Sequence, residues 1–295
     1  MTQFHGQSSV APVAFVIDFP PPVHAMASVS AHSPPPAPSA LADWMRGTAR
    51  IGSWLPLAWY DVRLRYRRSM LGPLWLTISM GTLLAGMGPL YAALFNLPLK
   101  IFFPHLAMGL VFWMFISGTI NESCGVFTQA ASYLKHADTP LSLFVWRLLA
   151  RQLVQLSHQA LLYLPIAWWA GIKPSAAMLQ FIPGILLLVL NMHFLALLLG
   201  IICARFRDVT QIVASLISFL MFLTPVVWQP DTLPARLRLV LNNPFAVLLA
   251  VVRDPLLGKV VPLETWALAV GWTIAAGIIA FLVFATQRRQ VVYWV

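Results

Sequence analysis

Acidic side chains are scarce in this chain. Asp and Glu together number nine in 295 residues, and all charged residues make up 9%. A soluble domain carries about 25%. A chain so poor in charge cannot cover a water-facing surface, which excludes an ordinary soluble enzyme or binding module. Cysteine is nearly absent too. Cys124 and Cys203 are too few for a disulfide framework and lack metal-ligand spacing, so they read as packing residues.

What the sequence does have is apolar residue in long runs: 59% of the chain is hydrophobic and mean hydropathy is +0.78. The expected class is therefore an all-α polytopic membrane protein. A span needs about 20 mainly apolar residues. Six segments meet or approach that length: 71–95, 105–127, 148–171, 178–203, 210–228 and 264–286. The run Leu237–Val252 is shorter and broken by Asn242, Asn243 and Pro244. It reads as two short re-entrant or gate helices within an outer segment, 229–263.

Upstream lie two other regions. Residues 1–40 hold eight of the 23 prolines and a single charge, Asp18, and read as a disordered tail. Residues 41–70 alternate tryptophans with arginines. Ser53 can cap a helix there, with Leu55, Trp59, Val62 and Tyr66 on one face. This reads as an amphipathic helix in the cytoplasmic interface. Residues 71–295 form the transmembrane domain.

The net charge of +10 would suggest nucleic acid in a soluble protein. Here it reports topology instead, and no nucleic-acid partner is expected. With six spans and a cytoplasmic N-terminus, the Lys and Arg residues outside are Lys100, Lys173, Arg236, Arg238, Arg253 and Lys259. The remaining 13 of the 19 fall inside. That asymmetry satisfies the positive-inside rule and puts both termini in the cytoplasm. Polar residues within spans, among them Arg151, Gln155, His158, Asn191 and His193, are expected to hydrogen-bond between helices. Glu122 is expected to pair with an arginine of the inner face.

Several motifs occur in order: RYRRSMLGPLW at 65–75, YLKHADTPLSLFVWRLLARQLVQLSHQ at 133–159 and ARFRDV at 204–209. FLTPVVWQPDTLP at 222–234, NPFAVLLAVVRDPLLG at 243–258 and a terminal VVYWV complete the set. From about Trp54 to Val295 the chain resembles the permease subunit of ABC-2 type polysaccharide exporters. His158 and the Tyr-Trp terminus bring it nearest the lipopolysaccharide O-antigen branch. Capsule and teichoic-acid permeases of the same family are the alternatives.

The resemblance implies a homodimer in the bacterial inner membrane, bound to two copies of a separate ABC ATPase that carries ATP and Mg. The sequence agrees on that division. A P-loop needs Gly-Lys followed by Ser or Thr, and the one Gly-Lys here, Gly258-Lys259, precedes Val260. The substrate implied is a polysaccharide on undecaprenyl pyrophosphate. Arg63, Arg65, Arg67 and Arg68 suit its phosphates, because the guanidinium fork grips two oxygens; anchoring to anionic membrane lipids is the competing role.

Aromatic faces suit a sliding sugar chain. Tyr91 and Phe95, Trp113 and Phe115, and then Phe219, Phe222 and Trp228 are the residues expected to line its path. ATPase coupling falls to Tyr133, Lys135, His136, Asp138 and Pro140, with Arg205, Arg207 and Asp208 in the next inner loop. Pro230, Asn242, Asn243, Pro244, Arg253 and Asp254 mark an outer gate. No catalytic or metal site is expected. A membrane glycosyltransferase or ligase acting on lipid-linked sugars is the rival, but the scattered acids contain no Asp-x-Asp pair.

Overall fold

A computed structural model describes residues 39–136, 139–232 and 234–295. Helices joined by turns and short irregular stretches make up the described residues, with no strand among them. Helices α1 (Ala40–Ala49) and α2 (Ile51–Arg65) precede α3 (Leu74–Leu94) and α4 (Leu99–Ser123). A short α5 (Ala131–His136) leads to α6 (Leu141–Ala160) and α7 (Tyr163–Ala170). Then come α8 (Phe181–Arg205), α9 (Val209–Leu223), α10 (Pro244–Leu256), α11 (Leu263–Gln287) and α12 (Val291–Trp294). α4 is the hub and packs against α3, α6, α7, α8, α9 and α10.

Six spans are not what forms. Among the described residues, four helices are long and apolar enough to cross a membrane: Leu74–Leu94, Leu99–Ser123, Ala176–Arg205 and Leu263–Gln287. The run 148–171 is divided between α6 and α7, which part at Leu161 and Leu162. α6 carries Arg147, Arg151 and three glutamines, and buries its polar face against neighbours instead of lipid. The run 210–228 is cut short because Thr224-Pro225 ends α9 after 15 residues. The two-sided charge tally rests on the six-span count and falls with it.

The re-entrant gate helices are also overturned. Residues 235–242 form 3₁₀ turns, and α10 is a core helix against α4, α8 and α11. Val247, Leu248, Leu249, Val251 and Val252 are all buried. The Asn242-Asn243-Pro244 break is a built helix start. The Asn243 side chain accepts from the Ala246 amide at 2.8 Å, and Pro244 occupies the first turn, so the pair fixes where α10 begins.

Upstream, one interfacial helix was expected and two form, divided at Arg50. α2 starts at Ile51, so Ser53 lies inside it and does not cap it. Its buried stripe runs through Ala58 and Val62, while Leu55 and Trp59 are exposed. The arginine-rich stretch after it turns into α3 at Gly72, whose φ of 56° is left-handed and suits glycine. The Pro-rich tail lies outside the described residues except for Ser39 and Ala40.

Candidate functional site

Three helices converge on a ladder of opposite charges. Arg147 on α6 grips Asp61 on α2 with two bonds, Nε to Oδ2 at 2.7 Å and Nη2 to Oδ1 at 2.6 Å. Arg151, one turn on, donates to Asp61 Oδ2 at 3.2 Å and to Glu122 Oε2 at the end of α4. Glu122 Oε1 accepts from Arg65 at 3.3 Å. The order Arg147–Asp61–Arg151–Glu122–Arg65 ties α2, α4 and α6 together. The two-pronged geometry is the strong form of such contacts. Burial alone would raise the Asp61 carboxyl, but hydrogen bonds from both arginines and their charges hold it below its ordinary value.

Beside the ladder is a cleft of about 160 Å³, lined by Asp61, Gln129, Arg147 and Arg151 with Phe144 and Leu148. Tyr133 of α5 lies over this region. Its ring is 6.0 Å from the Arg147 guanidinium carbon and 6.1 Å from the Phe144 ring. Among residues expected to contact an ATPase, Tyr133 and Lys135 are exposed and Pro140 is buried. Asp138 lies outside the described residues, as does the His136 side chain. Arg205, Arg207 and Asp208 are exposed at the α8–α9 turn, where Arg205 sits between the rings of Phe206 and Trp294 at 5.2 and 5.3 Å.

The arginine cluster divides by role. Arg65 is committed to Glu122. Arg63, Arg67 and Arg68 are exposed and carry no ion pair among the described residues. The aromatics divide as well. Trp113 and Phe115 are buried in the core, Trp113 edge-on to Phe245 at 6.2 Å. Tyr91 and Phe95 form a pair at the end of α3, 5.8 Å apart, and Phe219 and Phe222 project from α9. Trp228 is turned back, its indole N–H donating to the Phe222 carbonyl at 3.0 Å.

A second polar centre surrounds Arg253 on α10, which is 1% exposed. Its Nε donates to Asp254 at 3.0 Å and its Nη1 to the Pro225 carbonyl. His105 Nε2 on α4 lies 3.1 Å from the Trp228 carbonyl and 3.4 Å from Arg253 Nη1. One nitrogen cannot donate to the first and accept from the second, and the shorter contact assigns the proton to His105. Together Arg253 and His105 satisfy carbonyls of the irregular stretch Thr224–Trp228. Non-helical backbone of this kind needs internal partners in a bundle at membrane depth. Gly109 on α4 permits the close approach, since a Cβ there would meet the Val226 carbonyl oxygen at 2.6 Å. Pro230, Asn242, Arg253 and Asp254 line one cavity next to this stretch.

The sequence did not signal the attachment of α1. The Trp44 indole N–H donates to His193 Nε2 on α8 at 3.0 Å, and Trp146 on α6 stacks on the same imidazole at 4.4 Å. Trp146 donates to Thr48 Oγ1 at 3.0 Å, and Arg288 pairs with Asp43 at 3.2 Å. Of the other expected interhelical bonds, Asn191 reaches Thr273 at 3.5 Å. The His158 imidazole instead lies 2.7 Å from the Val154 carbonyl of its own helix, and it is the His158 backbone carbonyl that accepts from Thr77, at 2.6 Å.

These features belong to a multi-pass membrane protein with polar networks set within an apolar helical frame. The profile of the ABC-2 type transporter family matches residues 53–257, most of the chain, and the protein belongs to that family. The chain is similar to the O-antigen export system permease protein RfbA of Klebsiella pneumoniae. Identity is 26% over 207 residues, covering 66% of this chain and 76% of that protein.

Proposed function

We propose that the chain is the membrane-spanning subunit of an ATP-driven exporter. Its cargo is a lipid-linked polysaccharide of O-antigen type, moved across the bacterial cytoplasmic membrane. The observation that carries the reading is family membership across residues 53–257, together with similarity to a permease named for O-antigen export. Hydrolysis of ATP falls to a separate subunit, since this sequence has no P-loop lysine in register.

The working assembly is a homodimer with two ATPase subunits. α5 and the Arg205–Asp208 turn face the ATPase, and movement there reaches α2 and α4 through Tyr133, Arg147 and the charge ladder. Arg63, Arg67 and Arg68 hold the pyrophosphate as the lipid-linked chain enters. Tyr91, Phe95, Phe219 and Phe222 offer ring faces to the sliding glycan.

The test is a cell lacking this chain, complemented with or without an ABC ATPase encoded beside it. Surface glycan should return only with both. Glycan transfer by the purified chain without ATPase would instead identify a ligase and end the export reading.

A further inference from the structure

A cavity of about 310 Å³ lies between α10, the start of α11 and the stretch that follows α9. Its polar lining comes from Arg253, Asp254, Glu264, Asn242 and Thr265. Pro225, Pro230 and Leu268 contribute apolar surface. Arg253 is fully enclosed, yet its guanidinium is not fully used. Nε and Nη1 have partners, while Nη2 has none among the described residues. Nη2 is not among the enclosed unpartnered atoms of the described residues, so it stays accessible on the cavity wall, where a ligand acceptor can reach it.

The chemistry of the wall selects the ligand. One guanidinium shares the lining with the two acidic residues Asp254 and Glu264, so the lining is net negative and disfavours a phosphate or another anion. Donors and acceptors share the same small cavity, which matches a ring bearing several hydroxyls. Trp272 stands beside the wall, its indole N–H donating to the Asn242 carbonyl at 3.1 Å and the residue 40% exposed. An aromatic face next to planar polar groups suits the C–H face of a pyranose. The volume is at the lower end for small-molecule sites, which start near about 300 Å³ and bury most of their ligand. That holds one sugar unit rather than a chain.

We infer that this cavity is a binding site for a single neutral pyranose unit, read by Arg253, Glu264 and Asn242. The inference rests on the polysaccharide-export reading and adds a site to it. The site is separate from the exposed aromatics of α3 and α9, and it would hold the glycan at one sugar instead of letting it slide.

The experiment uses the full chain in nanodiscs of phosphatidylglycerol and phosphatidylcholine. Saturation-transfer NMR is recorded with D-glucose, D-galactose, D-mannose and N-acetyl-D-glucosamine, and separately with phosphoethanolamine as the headgroup arm. At least one sugar should receive saturation. Glu264→Gln keeps the shape and removes an acceptor charge at an exposed position, and it should weaken that sugar by about tenfold. Ala250→Trp fills the cavity and should abolish the signal; if its unfolding shows that it does not fold, Glu264→Gln decides alone.

No signal from any sugar, or an unchanged signal in Glu264→Gln, overturns the site. A signal from phosphoethanolamine and none from sugars also overturns it and gives the cavity to a lipid headgroup. The two readings fail separately. Export without sugar binding removes only this site, whereas sugar binding without ATPase-dependent export removes only the transport reading.

Discussion

Trp44 on α1 donates its indole N–H to the imidazole of His193 on α8, 149 residues away in sequence, at 3.0 Å. His193 is fully buried, and its Nδ1 has no partner among the described residues. Among the described residues, the Trp44 bond is therefore the one hydrogen bond that imidazole receives. Trp44→Phe keeps most of the packing and strips that contact, leaving a buried polar ring unpaired. The cost should be about 1–3 kcal/mol. The double variant Trp44→Phe/His193→Phe removes both partners and should recover part of the loss. Thermal unfolding in detergent reads both, and a double variant no better than the single one contradicts the account.

Asp61 should be the member of the charge ladder whose loss costs most, because it accepts three bonds from Arg147 and Arg151 and is 15% exposed, against two bonds and 30% for Glu122. A fully buried pair broken on one side costs about 3–5 kcal/mol. The side chains here keep 13–21% exposure, so Asp61→Asn should cost about 2 kcal/mol. The pH dependence follows from the lowered carboxyl. Stability from Asp61 is complete above its ordinary value of 3.8 and is lost as pH falls through the lower folded value. Acid titration of the wild type and of Asp61→Asn should converge below that pH. Curves that stay parallel would show that Asp61 is not the titrating group.

The arginines after α2 should separate in function. Lysine in place of Arg63, Arg67 and Arg68 keeps charge and removes the fork. Export should fall by about tenfold while the protein still inserts and assembles, if those residues grip phosphate. Arg65→Ala should instead lower thermal stability, because Glu122 loses a partner. Normal export from the triple lysine variant would leave those three residues only an anchoring role.

Uninterrupted apolar runs were legible as helices because length and composition alone decide them. The expected 71–95, 105–127, 178–203 and 264–286 correspond to the four long apolar helices. α6 and α7 were not legible as two helices. Leucine and tryptophan on one side of α6 raise its average toward that of a span, while its arginines are satisfied by partners that local sequence does not show. Asp61 is 86 residues from Arg147, and no spacing rule links them. α10 misled for the opposite reason. A short run apolar on every side looks interfacial by length, but it is a helix enclosed by protein. Pro225 stops α9 early, and its carbonyl becomes an acceptor for an arginine 28 residues on. Glu122 was legible as an arginine partner because an acid at the end of an apolar helix has few other options.

The close passage of Thr224–Trp228 over α4 depends on Gly109, and this can be tested without touching any charge. A Cβ at Gly109 would lie 2.6 Å from the Val226 carbonyl oxygen, a backbone atom that cannot rotate aside. Val226 itself is fully buried, and Arg253 and His105 hold the carbonyls on either side of it. The segment must then shift as a unit and lose those contacts. Gly109→Ala should destabilise the protein by about 1–3 kcal/mol. Gly86, in the middle of α3, meets nothing within 4 Å, so Gly86→Ala is the matched control. It should be neutral or stabilising by about 0.5–1 kcal/mol, since alanine is the better helix former. Thermal unfolding of the two variants side by side gives the answer. Equal effects would mean that the contact between α4 and Val226 is not made in the membrane, and that Arg253 holds a segment packed elsewhere.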